Sequence, residues 1–352
     1  MDIKSVVKRG IKRIIQRAVN TLGYEISWRR QPPQPPSLER PKFFDASPKF
    51  SVPSKEQIDA FVNNAIDPDY WRRLNPELSI DGVGERSGGL DIDVLEPKEI
   101  EKQIEKLRSE GYFQTNPVLS SPTIEKMRVC VERLRRERWP ATFSFVYDEF
   151  WDVASVSSLT EIATEFLGAE YKQNSAIWTY YVLPRKGARG WPPHYDSGDP
   201  TSRLTVWIPL SDATLDNGCM YLIPQDRVSS ARLNDFWSRN YVTKEELALL
   251  LWSTKALPAP AGSLLGWNQK ILHWGSIASD SAHPRISLAV EFVSARAEAR
   301  PDEFPLFDLP CRRSFSQRIQ LICKAILKYH GFEPEQLTYK GLAERLKEAI
   351  NS

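Results

Sequence analysis

The stretch PPHYDSGDP, residues 192–200, includes a histidine and a nearby aspartate whose types and spacing suit the binding of a metal ion. His194 and Asp196 stand two positions apart, so in an extended segment both project from the same side. There they could present an imidazole nitrogen and a carboxylate oxygen to one metal ion. Alone, this pattern is weak, because a histidine and an aspartate in a turn bounded by proline and glycine are usually only polar surface residues.

Two further residues strengthen the metal interpretation. His273 lies inside the apolar run KILHWGS, where a lone histidine is more often a core residue than a ligand. Arg285 opens the apolar run RISLAVEF and, if it points inward, needs an anionic partner to offset its desolvation. Two histidines, a carboxylate and an inward arginine are what a non-heme Fe(II) oxygenase requires. Its facial triad leaves coordination positions open for a 2-oxoacid co-substrate and O2.

The elements that must position these residues change type along the chain. The runs EPKEIEKQIEKLRSEGYF and SPTIEKMRVCVERLRRE predict two helices, with Pro97 and Pro122 in their first turns. Gly111 is predicted to end the first helix, and Ser121 to cap the second. From about residue 171, short β-branched and aromatic runs bounded by Gly, Pro, Asn and Asp predict a β-sandwich or jelly roll.

The strand region resembles the phytanoyl-CoA dioxygenase (PhyH-like) family of Fe(II)/2-oxoglutarate oxygenases. The resemblance covers roughly residues 100–300 and rests on a combination of features along HYDSGDPTSRLTVWIPLSDATLDNGCMYLIP and PAGSLLGWNQKILHWGSIASDSAHPRISLAVEF. The matching residues are His194, Asp196, Trp207, Asp212, Asn217, Gly218, Cys219, the PAGS of 260–263, His273, Ser276 and Arg285.

The resemblance assigns a role to each site residue. It implies that three residues ligate iron, namely His194, Asp196 and His273. It implies that Arg285, helped by Ser287, binds a carboxylate of 2-oxoglutarate. Two further co-substrate contacts are expected at Trp207 and Thr179.

The same resemblance implies the fold and the reaction. The expected fold is α+β, a double-stranded β-helix (jelly-roll, cupin-like) core with flanking N- and C-terminal helices. The expected enzyme uses Fe(II), 2-oxoglutarate and O2 to hydroxylate an unactivated carbon of a small-molecule or lipid-like substrate, releasing succinate and CO2. The alternatives are desaturase or epimerase chemistry at the same site, or a non-catalytic cupin-like binding protein docked to a membrane.

Two departures from the family pattern leave the substrate class open. Leu183 and Pro184 stand where the family commonly has Lys-Pro ahead of the first ligand, so a usual co-substrate contact is absent or supplied elsewhere. The family's PGSH is PQDR at 224–227, and a long insertion follows. In that insertion TKEELALLLWS, with Thr243 and Glu246 as a capping box, predicts a helix that covers the site as a candidate lid.

Composition excludes several other classes of function. The formal net charge is +2, which gives no signal for a nucleic-acid partner. The four cysteines form no CxxC pair, so a zinc finger or disulfide framework is not expected and a reducing compartment fits better. No apolar run is long enough to span a membrane. A cytoplasmic location is therefore expected.

Four segments are expected along the chain. Residues 1–30 form a basic amphipathic helix, and residues 1–24 are a candidate for peripheral membrane contact; packing on its own protein and an organelle presequence are the alternatives. Residues 31–95 form a proline-rich linker and wrapping segment. Residues 96–300 form the oxygenase domain, with the helical insertion at 225–257, and residues 301–352 form a C-terminal helical tail.

Overall fold

The computed structural model describes most of the chain beyond residue 53. The described residues are 54–80, 90–196, 199–229, 231–233, 235, 243–279, 283–300, 303–309, 313–329 and 339–351. The expected basic helix of residues 1–30, its membrane contact through 1–24, and the linker up to residue 53 lie outside these ranges. Within the described ranges, no helix has the length and apolar character needed to cross a membrane.

Helices lie before the first strand and after the last strand of the described chain, and others lie between the strands. They are α1 (Lys55–Ala65), α2 (Pro68–Leu74), α3 (Pro97–Glu110), α4 (Ser121–Arg136), α5 (Glu149–Asp152), α6 (Ser157–Leu167), α7 (Lys244–Ser253), α8 (Phe315–Tyr329) and α9 (Lys340–Asn351). Two 3₁₀ helices lie at Ala141–Val146 and Val153–Ser155.

Two antiparallel sheets carry the site. The strands are β1 (Tyr112–Pro117), β2 (Lys172–Val182), β3 (Arg203–Pro209), β4 (Met220–Ile223), β5 (Lys255–Leu257), β6 (Ser263–Asn268), β7 (Leu272–Gly275), β8 (Arg285–Val293) and β9 (Leu306–Phe307). The larger sheet has the order β1-β6-β3-β8-β2-β9, and the smaller has the order β5-β4-β7. Flanking helices with antiparallel sheets confirm the α+β class predicted from the sequence.

Local sequence signals fix most helix ends. α3 begins at Pro97 and ends before Gly111, which has φ +84°, a conformation that glycine adopts without strain. The capping box of Thr243 and Glu246 starts α7 as predicted. The cap of α4 is Ser120 rather than the predicted Ser121, because the Ser120 hydroxyl accepts from the Thr123 amide.

The insertion predicted at 225–257 is helical only in part. Its helix α7 ends at Ser253, and its last residues form strand β5, which pairs with β4 in the smaller sheet. Half-buried Leu249 and Leu250 of α7 pack against a small apolar cluster that also contacts Tyr195. The insertion and the segment that holds His194 and Asp196 therefore pack against the same apolar cluster.

The larger sheet has two faces with different neighbours. Cross-strand register pairs Trp207 with Ala289 and Tyr180 with Ser287, so these residues share one face with Arg285. Trp207 belongs to an apolar cluster that also contains residues of the smaller sheet, so this face points toward that sheet. The opposite face, with Ile208 and Leu288, joins the main core beneath the helices.

Candidate metal centre

Backbone pairing brings the HxD segment to β7. The amide of His194 donates to the carbonyl of His273 at 3.1 Å, and the amide of His273 donates back at 3.1 Å. This reciprocal pair sets the two histidines side by side, with ring centroids 4.3 Å apart. Residues distant in the sequence are therefore neighbours through ordinary sheet pairing.

Three ligand-type atoms converge beside this pair. Asp196 Oδ1 lies 3.9 Å from His194 Nε2 and 4.0 Å from His273 Nε2. Among the described residues, His194, Asp196 and His273 form a cluster whose candidate ligand atoms all lie within 4.8 Å of one another. His273 is buried, whereas His194 and Asp196 are half-buried, so the site opens on their side.

Both histidines have the tautomer that a metal site requires. Nδ1 of His194 contacts the carbonyl of Pro192 at 2.7 Å, and Nδ1 of His273 contacts the carbonyl of Ile271 at 3.0 Å. A carbonyl oxygen only accepts, so each Nδ1 must carry the hydrogen and donate it. Each neutral ring then has a free lone pair on Nε2, the atom that faces Asp196.

The protonation states also favour metal binding at neutral pH. Burial, helped by the charge of nearby His194, lowers the pKa of His273 to about 4, which keeps its imidazole neutral. Burial alone would raise the pKa of Asp196, but the two histidines and hydrogen bonds from Thr205 and Trp267 lower it instead. The cluster therefore offers the neutral imidazole of His273 and the carboxylate of Asp196 beside the ring of His194.

Arg285 is a buried cation without a carboxylate among the described residues. Its Nη1 donates to the Gly218 carbonyl at 2.9 Å, while its Nε has no hydrogen-bond partner. The hydroxyl of Ser287, two residues along the same face of β8, also lacks a partner. Burial lowers the pKa of Arg285 to about 10. These unsatisfied donors fit a bound anionic group.

Two glycines leave room for this guanidinium between the metal-ligand segments. A Cβ on Gly190 would lie 2.8 Å from Arg285 Nη2, and a Cβ on Gly275 would lie 3.0 Å from Nη1. Gly275 is two residues after His273 in β7, and Gly190 precedes His194 by four. Arg285 thus lies against both segments that carry the metal-binding cluster.

Of the two further co-substrate contacts expected from the sequence, Trp207 lies beside Arg285 and Thr179 does not. The rings of Trp207 and Tyr180 lie 5.6 and 5.7 Å from the Arg285 guanidinium carbon. Thr179 pairs with Leu288 on the opposite face, and its hydroxyl is hydrogen-bonded to the hydroxyl of Ser144 at 2.8 Å. Alternation along β2 therefore points Thr179 away from the site, and the adjacent Tyr180 takes its place.

Three residues that contact the site were missed by the sequence analysis. Thr205 and Trp267 both donate to Asp196 Oδ2, at 2.8 and 3.0 Å, and Gln269 donates to Thr205 at 3.2 Å. Thr205 stands two positions before Trp207, so strand alternation places both on one face. That signal was available from the sequence for Thr205, but nothing local identifies Trp267 or Gln269.

The arrangement suits iron with a 2-oxoacid. Imidazole nitrogen and carboxylate oxygen are the donors of the 2-His-1-carboxylate site of non-heme iron oxygenases. The neighbouring unsatisfied guanidinium and hydroxyl match a carboxylate of 2-oxoglutarate. The residues present therefore fit both cofactors.

Known proteins resemble the chain in sequence and in structure. Phytanoyl-CoA dioxygenase 1 of Oryza sativa subsp. japonica is 36% identical over 84 residues, which span 22% of this chain and 28% of that protein. The crystal structure of the α-ketoglutarate-dependent epimerase SnoN from nogalamycin biosynthesis has 18% identity and a TM-score of 0.48, covering 62% of this chain and 94% of SnoN. The carbocyclase SnoK from the same biosynthesis has 22% identity and a TM-score of 0.44, covering 61% and 90%. These structural similarities are too low to transfer either activity.

The match to a protein family covers more of the chain than the match to this single relative. The family described as phytanoyl-CoA dioxygenase (PhyH) matches residues 107–287, about half of the chain. The match spans every residue of the His194, Asp196 and His273 cluster, together with Arg285 and Ser287. It confirms the predicted family, and Fe(II) and 2-oxoglutarate are the cofactors that this site fits. The chain therefore belongs to the phytanoyl-CoA dioxygenase family.

Proposed function

We propose that this protein is an Fe(II)/2-oxoglutarate-dependent oxygenase that hydroxylates an unactivated carbon of a small-molecule or lipid-like substrate. Succinate and CO2 are the co-products. The observation that carries the proposal is the convergence of His194, Asp196 and His273 beside Arg285, a buried cation with no carboxylate among the described residues.

The two sheets support a double-stranded β-helix as the scaffold. An apolar cluster between them contains Trp207 and Leu265 of the larger sheet with Leu222 and Leu257 of the smaller one. The bridge between His194 and His273 adds the HxD segment beside β7. We propose that these are the two layers of a jelly roll with the metal-binding cluster at the open edge.

Each chain residue has a defined task in this proposal. The Nε2 atoms of the two histidines and Oδ1 of Asp196 bind the metal. Arg285 and Ser287 bind and orient the distant carboxylate of 2-oxoglutarate, while the rings of Trp207 and Tyr180 keep water from the guanidinium. Iron and 2-oxoglutarate, when bound, supply the oxidation of the substrate carbon by O2.

Other outcomes at the same site use the same donors. Desaturation and epimerisation need the same metal and co-substrate, and product analysis separates them from hydroxylation. The carboxylate of Asp196 argues against halogenation, in which that ligand is lost so that halide can bind. A non-catalytic binding protein would not need the complete set of three ligands and Arg285.

The test is anaerobic titration of the protein with Fe(II) and 2-oxoglutarate. We expect the weak visible charge-transfer band of the chelate with wild type, and its loss in His273→Ala. His283→Ala is the matched control, because His283 is exposed and lies outside the cluster. Absence of the band in wild type, or its full retention in His273→Ala, would falsify the proposal. Succinate release across a panel of small molecules and lipids then identifies the substrate.

A further inference from the structure

The two oxygens of Asp196 have different surroundings. Oδ2 accepts two hydrogen bonds, from the Thr205 hydroxyl at 2.8 Å and from Trp267 Nε1 at 3.0 Å. Oδ1 faces the Nε2 atoms of both histidines, at 3.9 and 4.0 Å. Because the two donors occupy Oδ2, only Oδ1 is directed at the candidate metal position.

The direction of the Thr205 hydrogen follows from its neighbours. Gln269 Oε1 lies 3.3 Å from Arg300 Nη2, and a guanidinium only donates, so Oε1 accepts there. The Gln269 amide nitrogen must then face Thr205, to which it donates at 3.2 Å. Since Thr205 accepts from Gln269, its single hydrogen is directed to Asp196 Oδ2.

Charged side chains hold the far end of this chain of hydrogen bonds. Arg300 Nη2 donates to Glu291 Oε1 at 2.8 Å, and Glu291 also accepts from Asn174 at 2.7 Å. Arg203, almost fully buried, lies 3.5 Å from the same carboxylate. Arg300 is thereby held by an ion pair at the end of the chain of hydrogen bonds that leads through Gln269 to Thr205.

We propose that Thr205, Gln269 and Arg300 form a positioning chain that holds Asp196 as a one-oxygen ligand. The chain turns Oδ2 away from the metal and leaves Oδ1 to bind it. A carboxylate that binds through one oxygen keeps a further coordination position open for the co-substrate or O2. The proposal rests on the metal centre proposed above and adds residues that touch neither metal nor substrate.

The first test compares two threonine-to-valine variants by titration of the metal-free protein with Co(II), followed by visible absorption. Thr205→Val removes the donor to Asp196, and we expect Co(II) affinity to fall by roughly 10–100-fold, the usual effect of losing such a partner. Thr179→Val is the matched control, because Thr179 lies on the opposite face of the sheet. Thr205→Ser keeps the hydroxyl and is expected to bind Co(II) as wild type does.

The second test reverses one hydrogen bond with almost no change in shape. Gln269→Glu keeps an oxygen for Arg300 but, as a carboxylate, cannot donate to Thr205, whose hydrogen it attracts instead. We expect weaker Co(II) binding and a changed absorption spectrum. The double variant with Thr205→Val and Gln269→Glu is expected to bind Co(II) no more weakly than the single variant of lower affinity. Both substitutions act on the same hydrogen bond, from Thr205 to Asp196.

The outcomes separate the two proposals. If wild type fails to bind one Co(II), the metal centre itself is wrong. If wild type binds and Thr205→Val binds within about threefold of it, or Thr179→Val loses as much, the positioning chain is wrong. Additive losses in the double variant would also overturn it. Thermal melting of each variant shows that the comparison is among folded proteins, and Thr205→Ser and Gln269→Glu keep the test open if Thr205→Val does not fold.

Discussion

Arg203, Arg285 and Arg318 are among the arginines of the described chain that are almost fully buried, and their partners differ. Arg203 pairs with Glu291 and Glu303, and Arg318 pairs with Asp148. Arg285 has a carbonyl, a methionine sulfur and two aromatic rings as neighbours but no carboxylate among the described residues. A cation in such surroundings costs free energy in the apoprotein, so its counter-charge is expected from a ligand.

Arg285→Met tests this residue directly. We expect 2-oxoglutarate affinity to fall by about 10–100-fold, because hydrogen bonds to charged groups contribute about 1.5–3 kcal/mol. Metal affinity is expected to stay unchanged, and the apoprotein is expected to melt no lower than wild type. Titration of the charge-transfer band with 2-oxoglutarate measures the co-substrate affinity, and a melting curve measures the stability of the apoprotein. Arg296→Met, at an exposed position, is the control, and unchanged 2-oxoglutarate affinity in Arg285→Met would contradict the assignment.

At the scale of elements, the site depends on how closely two backbone segments approach. β7 and the segment before His194 meet at Gly275 and Gly190, where the amide of Gly275 donates to the carbonyl of Trp191 at 3.0 Å. A Cβ on Gly275 would lie 2.7 Å from the Gly190 Cα, closer than real side-chain contacts. Backbone cannot move away as a flexible side chain can, so the segments must separate to admit it.

Gly275→Ala is therefore expected to damage both the fold and the site. Overpacking of this kind costs about 1–3 kcal/mol, and separation of the segments displaces both His273 and Arg285. The expected result is a lower melting temperature together with weaker Co(II) and 2-oxoglutarate binding. Gly341→Ala is the control: it lies in helix α9, its Cβ would meet Ile58 at an ordinary 3.4 Å, and alanine favours a helix. Equal behaviour of the two variants would argue against the close approach.

The helix ends that have local signals could be predicted from the sequence. The contacts that depend on long-range strand register could not. Pro97, Gly111 and the capping box at Thr243 mark helix ends by themselves, and the structure agrees. Thr179 faces away from Arg285 because a shift of one residue along β2 moves a side chain to the other face, and only pairing with β8 fixes that register. Gln269 and Arg300 were not found because their hydrogen bonds join segments that no spacing rule connects.

At the scale of the whole molecule, helices from both ends of the described chain share the main core. Ile319, Ile322 and Ile326 of α8 are buried with residues of α4 and α6. Helix α9 packs on α8 and on α1. Helices α8 and α9, which lie in the segment expected as a C-terminal helical tail from residue 301, therefore contribute to the main core. Through that sheet, the helical layer supports the face that carries Arg285.

A buried ion pair joins α8 to the rest of this core and allows a test of the connection. Arg318 donates to the Val146 carbonyl at 2.8 Å, to the Arg313 carbonyl at 3.0 Å, and to the Asp148 carboxylate. Both charged residues are nearly inaccessible to solvent.

Arg318→Met removes the guanidinium that donates to the buried Asp148 carboxylate, so we expect a loss of about 3–5 kcal/mol in the free energy of unfolding. Arg345→Met removes the exposed ion pairs that Arg345 of α9 makes with Asp59 of α1 and with Glu348 of α9, and it is expected to change the free energy of unfolding little. Urea unfolding followed by far-UV circular dichroism compares the variants. If one core supports the site, Co(II) absorption in Arg318→Met disappears in the same transition as the helical signal. Loss of helix at a urea concentration that leaves the Co(II) spectrum intact would show instead that the sheets stand without this layer.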